Sequence, residues 1–107
     1  MAKIQAKTRT DFQKKVFSMT KKIPKGKVTT YKMIAKKLKT KAYRAIGNSL
    51  NKNNDKRVPC HRVVKSNGEI GGFNKGQTEK IKILEKEGIK VSNGRIIDFY
   101  KKLHTFS

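Results

Sequence analysis

Apolar residues recur at helical spacing three times in the first half of the chain. Thr10-Asp11-Phe12-Gln13 reads as a capping box, in which the Thr hydroxyl and the Gln side chain each take up an orphan backbone donor. Phe12, Val16 and Met19 follow at helical spacing, and Lys21, Lys22 and Pro24 end that helix. Lys25-Gly26-Lys27 is a turn. Thr29 or Thr30 then caps a second short helix, with Tyr31, Ile34, Ala35 and Leu38 at i, i+3, i+4 and i+7. After Lys39-Thr40-Lys41, a third helix carries Ala42, Ala45, Ile46, Ser49 and Leu50 on one stripe. Two short helices joined by a three-residue turn predict a helix-turn-helix. The small residues of the third helix allow close packing and leave Tyr43, Arg44, Gly47 and Asn48 for its other faces.

The second half mixes short elements. Asn51 to Arg57 is a polar loop, and Val58 to Val64 is an apolar-flanked run holding the single cysteine. Asn67-Gly68 is a turn signal, and Gly71-Gly72 marks backbone that is closely approached or sharply bent. A fourth helix is predicted from about Thr78 to Glu87, with Ile81 and Leu84 inward and Gly88 capping its end. Asn93-Gly94, between Ile89/Val91 and Ile96/Ile97, predicts a hairpin. The tail from Phe99 to Leu103 either packs or frays. The pattern predicts a mostly α fold with short β elements, a winged helix-turn-helix-like DNA-binding domain. One domain is expected over residues 1–107, with a core at about 10–90 and a hairpin-like extension over 89–107.

Charge changes the picture most. The 107 residues include 28 Lys and Arg against 7 Asp and Glu, a net charge of +21. A surface this positive attracts a polyanion, with affinity gained through counterion release. Leu, Ile, Val and Phe number 25, above the roughly 20% level below which a highly charged chain stays disordered. No apolar run approaches the ~18–20 residues that span a bilayer, and no helix opposes a broad apolar face to its lysines, so no membrane role is expected. The N-terminus lacks the apolar stretch of a secretory signal. A lone cysteine fits a reducing compartment, so the expected setting is intracellular, in cytoplasm, nucleoid or nucleus.

A lone cysteine beside an apolar run is either an inert buried side chain or a nucleophile. Three features favour the nucleophile. Pro59 fixes the local backbone, His61 and Arg62 supply a proton acceptor and a cation, and the positive field favours thiolate. Cys60, His61 and His104 make no recognisable metal-ligand set, and His104 is expected in solvent.

Pro59-Cys60-His61-Arg62-Val63-Val64 resembles the active-site signature of O6-alkylguanine-DNA alkyltransferases. Gly26-Lys27-Val28-Thr29-Thr30-Tyr31 is similar to the entry of that family's first DNA-binding helix, and Arg44-Ala45-Ile46-Gly47 to its recognition helix. Gly72-Phe73 is similar to its pocket loop and Glu87-Gly88 to the end of its last shared helix. The resemblance covers roughly residues 10–90. It implies a direct-reversal repair protein that binds double-stranded DNA containing O6-alkylguanine from the minor groove and flips the base into a pocket. The alkyl group then passes irreversibly to a cysteine, without cofactor or metal.

By the same resemblance Cys60 is the alkyl acceptor, His61 takes the thiol proton through a water, and Glu87 orients His61. Arg44 fills the space of the flipped base, and Tyr31 crowds the phosphate and assists the leaving guanine. Asn53 is the hinge between helix-turn-helix and active site, with Asn51 or Asn54 as alternatives because this loop is one residue shorter than usual. The carbonyls of Cys60 and Val63 would receive the guanine amino group. Phe73 would supply an aromatic wall, and the backbone at Asn74 would meet O6.

The chain also departs from the family pattern. Most members carry an N-terminal α/β domain, for which about ten residues before the first helix leave no room, so the expectation is the catalytic domain alone, as a monomer. The compact format, with its tail from Ile89 to Phe99, is similar to the alkyltransferase-like proteins. Those bind O6-alkylguanine without removing it and signal to excision-repair partners, and they typically have Trp or Ala in place of Cys60. The retained Cys60-His61 pair and Glu87 favour transfer over such a sensor. A basic architectural protein with a structural Cys60 is the third alternative.

Overall fold

The computed structural model describes residues 2–53, 55–73 and 75–106, with residues 2–10 as backbone alone. Asn54 and Asn74 therefore lie outside the described residues, as does the Thr10 side chain of the expected capping box.

Helix α1 spans Ala2–Lys21, so it begins well before the expected start at Thr10. Ala, Lys and Gln dominate its first turns, and such strong helix formers carry the helix through a mid-chain Thr that costs only about half a kcal/mol. Strand β1, Thr29–Thr30, leads directly into helix α2, Tyr31–Lys37. Thr30 is the N-cap: its backbone is extended and its hydroxyl accepts from the Met33 N–H at 3.0 Å. Thr29 instead donates its hydroxyl to the His104 carbonyl at 3.2 Å. Helix α3, Tyr43–Asn51, buries Ile46, Ser49 and Leu50 and crosses both α1 and α2.

After α3 the chain makes a 3-10 turn, Cys60–Arg62, and strand β2, Val63–Val64. Strand β2 runs parallel to β1, with Thr29 opposite Val63. That pairing ties the cysteine segment to the start of α2. On the other side of β1 the tail adds its backbone, since Val28 donates to the Lys102 carbonyl at 2.9 Å and accepts from His104 N–H at 2.7 Å. The tail therefore packs. His104 is half-buried, its ring edge-on to Phe106 at 5.1 Å, and not in solvent as expected.

Helix α4 spans Gln77–Lys86, one residue ahead of the predicted range, and Gly88 follows its cap at φ +85°. Strands β3, Val91–Ser92, and β4, Arg95–Ile96, form the predicted hairpin. Asn93 and Gly94 both take left-handed φ, as a two-residue hairpin turn requires. A short helix α5, Phe99–Lys102, closes the chain. Two apolar clusters result. One joins α1, α2 and α3 to Val58, Cys60 and Val63, and the other gathers Val28, Val64, Ile70, Leu84, Ile89 and Ile96. The cysteine sits where the first cluster reaches the surface. Among the described residues no helix is long and apolar enough to cross a membrane.

Candidate active site

Leu50 ends the buried stripe of α3, and the chain turns back at Asn53, whose N–H bonds the Leu50 carbonyl at 3.1 Å. The Asn53 side chain then clasps the loop. Its Oδ1 accepts from Asp55 N–H at 2.9 Å, and its Nδ2 faces the carbonyls of Asp55 and Val58 at 3.0 and 3.2 Å. The same Nδ2 donates to Cys60 Sγ at 3.0 Å. Of the asparagines weighed for the hinge, Asn53 touches the cysteine, whereas Asn51 is exposed at the end of α3.

Cys60 is 8% exposed, and its thiol faces the Leu50 carbonyl at 3.6 Å. Burial pushes the thiol pKa up, while the Asn53 hydrogen bond and the charge of Lys80 pull the other way. The resting group is thus a thiol: desolvation outweighs the solvent-screened positive field that was expected to favour thiolate.

His61 Nε2 and Glu87 Oε2 lie 3.0 Å apart. Burial lowers the His61 pKa, with Glu87 opposing, so the ring is neutral at pH 7. Burial alone would raise the Glu87 carboxyl, but hydrogen bonds from Arg62 and His61 hold it below its ordinary value. An ionised carboxylate only accepts, so Nε2 carries the ring proton and Nδ1 is left as the basic nitrogen. Arg62 was expected to act as a cation beside the thiol. It instead grips both Glu87 oxygens, at 2.9 and 2.6 Å, and the Ile23 carbonyl at 2.8 Å.

The cation that Cys60 feels is Lys80, which the sequence reading missed. Its side chain is wholly buried, and Nζ donates to the Val63 carbonyl at 2.8 Å and the Gly72 carbonyl at 2.9 Å. Burial drives its pKa down to about 7, and a Cys60 thiolate would raise it again. Lys80 lies four residues before Leu84, on the stripe of α4 that faces inward, and that register was the available signal. The Val63 carbonyl, expected to meet the guanine amino group, already holds this ammonium.

Cys60 and His61 open onto a pocket of about 250 Å³ that is also lined by Asn53, Asp55, Lys56, Val58, Phe73, Lys75 and Ile83. Tyr31 is not part of this lining and packs against the Gly71 turn. A Cβ on Gly71 would lie 3.4 Å from the Tyr31 hydroxyl, and φ +74° independently requires glycine there. Burial, and secondarily the Cys60 charge, raise the Tyr31 pKa, keeping it a hydroxyl donor. Arg44 stands apart, exposed on the first turn of α3, and Gly47 follows three residues later on the same face. A glycine inside a helix costs about 1 kcal/mol, and among the described residues no atom beyond the helix's own backbone and the adjoining residues lies within 4 Å of where a Gly47 Cβ would stand. The arrangement unites a thiol, a neutral imidazole oriented by a carboxylate, and a pocket with an aromatic wall.

Similarity to known proteins converges on this segment. Residues 11–89 match the pattern of the "6-O-methylguanine DNA methyltransferase, DNA binding domain". A methylated-DNA–protein-cysteine methyltransferase of Candida glabrata is 49% identical over 86 residues, which cover 78% of this chain and 42% of that protein. A bifunctional methyltransferase/endonuclease of Picrophilus torridus is 43% identical over 88 residues, or 80% of this chain and 30% of the relative. The chain thus spans less than half the length of these two curated relatives. Among solved structures, the O6-methylguanine-DNA methyltransferase of Pyrococcus kodakaraensis superposes with a TM-score of 0.66 at 42% identity, covering 73% of this chain and 46% of that one. S. pombe Atl1, in complex with damaged DNA containing O6-carboxymethylguanine, superposes at 0.78 with 28% identity, covering 91% and 97%. The family pattern runs from the middle of α1 to Ile89 and so takes in Cys60, His61, Lys80 and Glu87 alike; this chain belongs to the 6-O-methylguanine DNA methyltransferase family.

Proposed function

We propose that the chain repairs O6-alkylguanine in double-stranded DNA by moving the alkyl group to Cys60 in a single turnover, acting as a monomer. The observation that carries this reading is the thiol at the pocket wall beside a neutral His61 held by Glu87 at 3.0 Å. In the reaction Cys60 Sγ attacks the alkyl carbon in line, the S–C bond forms, and the C–O6 bond breaks. The thiol proton passes to His61, the electron pair goes to guanine, and the base is restored by gaining a proton, so atoms and charge balance. Tyr31, kept protonated by burial, is suited to hand that proton on, and the proton held by His61 returns through solvent to Tyr31, so neither an imidazolium nor a phenolate remains. The thioether is stable, so the protein reacts once.

Binding follows from charge and shape. The +21 charge draws the phosphate backbone, and the exposed face of α3 offers Arg44 to fill the gap left by a flipped base. The open space at Gly47 lets the groove wall approach closely. Extrusion costs a few kcal/mol, less for a damaged pair. The pocket, with the wall of Phe73, then takes the base.

One observation favours a second reading. The superposition on S. pombe Atl1 covers 91% of this chain and nearly all of that protein, which suits a lesion sensor that recruits excision-repair partners. Incubation with a duplex containing O6-methylguanine, followed by intact-mass analysis and peptide mapping, separates the two. The expected result is one methyl adduct on Cys60, lost in Cys60→Ala while DNA binding persists. Selective lesion binding without any adduct would establish the sensor, and neither adduct nor selectivity would sink both readings.

A further inference from the structure

Among the described residues three large apolar side chains are exposed, and two of them, Ile97 and Tyr100, lie in one short stretch after the hairpin. Ile97 is 42% exposed and Tyr100 is 85% exposed. A loose tail does not explain them, because the backbone on both sides is pinned. Ile97 N–H donates to the Lys90 carbonyl at 2.9 Å, and the N–H groups of Lys101 and Lys102 bond the Asp98 carbonyl at 2.9 and 3.2 Å. Phe99 turns inward: it packs on the second apolar cluster, its ring 3.3 Å from where a Gly68 Cβ would stand. Asp98, between Ile97 and Phe99, takes φ +56°, a left-handed conformation uncommon outside glycine. The fold thus buries one aromatic of this stretch and holds its neighbour in water.

The surroundings are cationic. Lys90 and Lys101 are exposed, and Lys27 Nζ reaches the Lys101 carbonyl at 2.9 Å. The four ion pairs of the described residues use Asp55, Glu69 and Glu87 and involve none of these lysines. We propose that Ile97 and Tyr100, set among Lys27, Lys90 and Lys101, form a docking surface for an acidic protein segment that carries a Leu or Phe anchor. An exposed apolar patch rimmed by charge marks a protein–protein site, and tyrosine is favoured among the residues that carry binding energy. The stretch is already ordered, so docking costs it little entropy. A phosphate backbone would engage the lysines but offers little apolar surface to Ile97. A second copy of the chain brings another +21 and is repelled. Both apolar residues lie beyond the family pattern of residues 11–89, and the surface would serve a transferase or a lesion sensor alike.

The test uses the full chain and two fluorescein-labelled peptides, read by fluorescence anisotropy. One is Glu-Asp-Glu-Leu-Phe-Asp-Glu-Asp, and the other has Ser-Ser in place of Leu-Phe. The anchored peptide should bind wild type, and bind Tyr100→Ser and Ile97→Ser about tenfold more weakly, as truncation of an anchoring residue does. The serine peptide should bind all three proteins equally weakly. Tyr100 projects into water, so its substitution keeps the fold, and binding of a duplex containing O6-methylguanine should not change. No saturable binding of the anchored peptide up to about 1 mM, or equal binding of the two peptides, would overturn the docking surface. Equal affinity of the anchored peptide for wild type and both variants would overturn it as well. If Tyr100→Ser weakens the duplex by the same factor as the peptide, the surface belongs to DNA and the proposal fails.

Discussion

The pH dependence of folding stability should expose Lys80. Its ammonium is wholly buried against two carbonyls, and burial brings its pKa from 10.5 to about 7. In the unfolded chain the ordinary value returns. Between those two values the unfolded state binds more protons, so stability rises with pH, by up to about 1.4 kcal/mol per unit. Integrated from about pH 7 to about pH 8.5, the gain is about 2 kcal/mol, or roughly 10 °C in Tm for a domain of this size. His61, lowered by burial, adds a small rise at the foot of this window, where the unfolded imidazole still binds some proton, and Cys60, raised by burial, adds a small fall at its top, where the unfolded thiol begins to ionise. Both persist in Lys80→Met, so the difference between the two profiles belongs to Lys80. Thermal melts of wild type and Lys80→Met across the window measure it, since Met keeps much of the shape and cannot titrate. Wild type should gain about 2 kcal/mol relative to the variant across the window. A flat or falling wild-type profile would refute the reasoning, even if Lys80→Met fails to fold with two carbonyls left without donors.

Three further outcomes are expected. Asn53→Ala removes the clasp between Asp55, Val58 and Cys60; at about 1 kcal/mol per hydrogen bond it should cost about 2–3 kcal/mol in urea unfolding. It should also slow alkylation near neutral pH by raising the thiol pKa, and undiminished stability would show the clasp to be ornamental. Glu87→Gln should lower the alkylation rate by about 10²-fold or more, the usual worth of a positioned base, because His61 loses its carboxylate partner. It should also flatten the acid limb of stability: the depressed carboxyl contributes above its ordinary pKa, and that contribution is lost as pH falls through the folded value. Methylation of Cys60 removes the thiol proton that faces the Leu50 carbonyl. A buried acceptor left without its donor costs about 1–3 kcal/mol, so the reacted protein should melt below the unreacted one.

Much of the fold was legible because local rules and tertiary packing agree. Thr30 caps, the stripe of Ile34 and Ala35 is buried, and Asn93-Gly94 turns the hairpin as its backbone preferences dictate. The start of α1 was misread because a capping pattern is a local option that strong helix formers upstream can override. Parallel pairing of Thr29 with Val63 joins residues far apart in sequence, and no local pattern announces it. In the site, Cys60 and His61 stood out by residue type, and Glu87 only through the resemblance of Glu87-Gly88 to the end of the family's last shared helix; the structure brings His61 and Glu87 within 3.0 Å. Lys80 was not legible, because a lysine on an inward stripe reads as solvated until two orphan carbonyls, Val63 and Gly72, are seen to need its protons.

The largest disagreement between charge counting and geometry concerns the thiol itself, and it bears on mechanism. A net charge of +21 suggests a ready thiolate, yet most of that charge lies on exposed lysines, where water and salt screen it. Cys60 is buried, and burial opposes ionisation more strongly than Asn53 and Lys80 favour it. A protonated, shielded thiol is protected from indiscriminate alkylation and oxidation. In the transfer proposed above, it reacts when a base removes its proton at the moment of attack. A neutral His61, with its proton fixed on the Glu87 side by the carboxylate, is suited to be that base. Activation by a neighbouring base also predicts that the alkylation rate tracks the titration of His61 as pH falls below neutrality. A pre-formed thiolate stabilised by the surface field would instead lose reactivity as salt rises, with His61→Gln nearly as fast as wild type. Alkylation by free O6-benzylguanine separates the two, because no DNA affinity intervenes. A strong salt dependence together with an active His61→Gln would overturn the base mechanism.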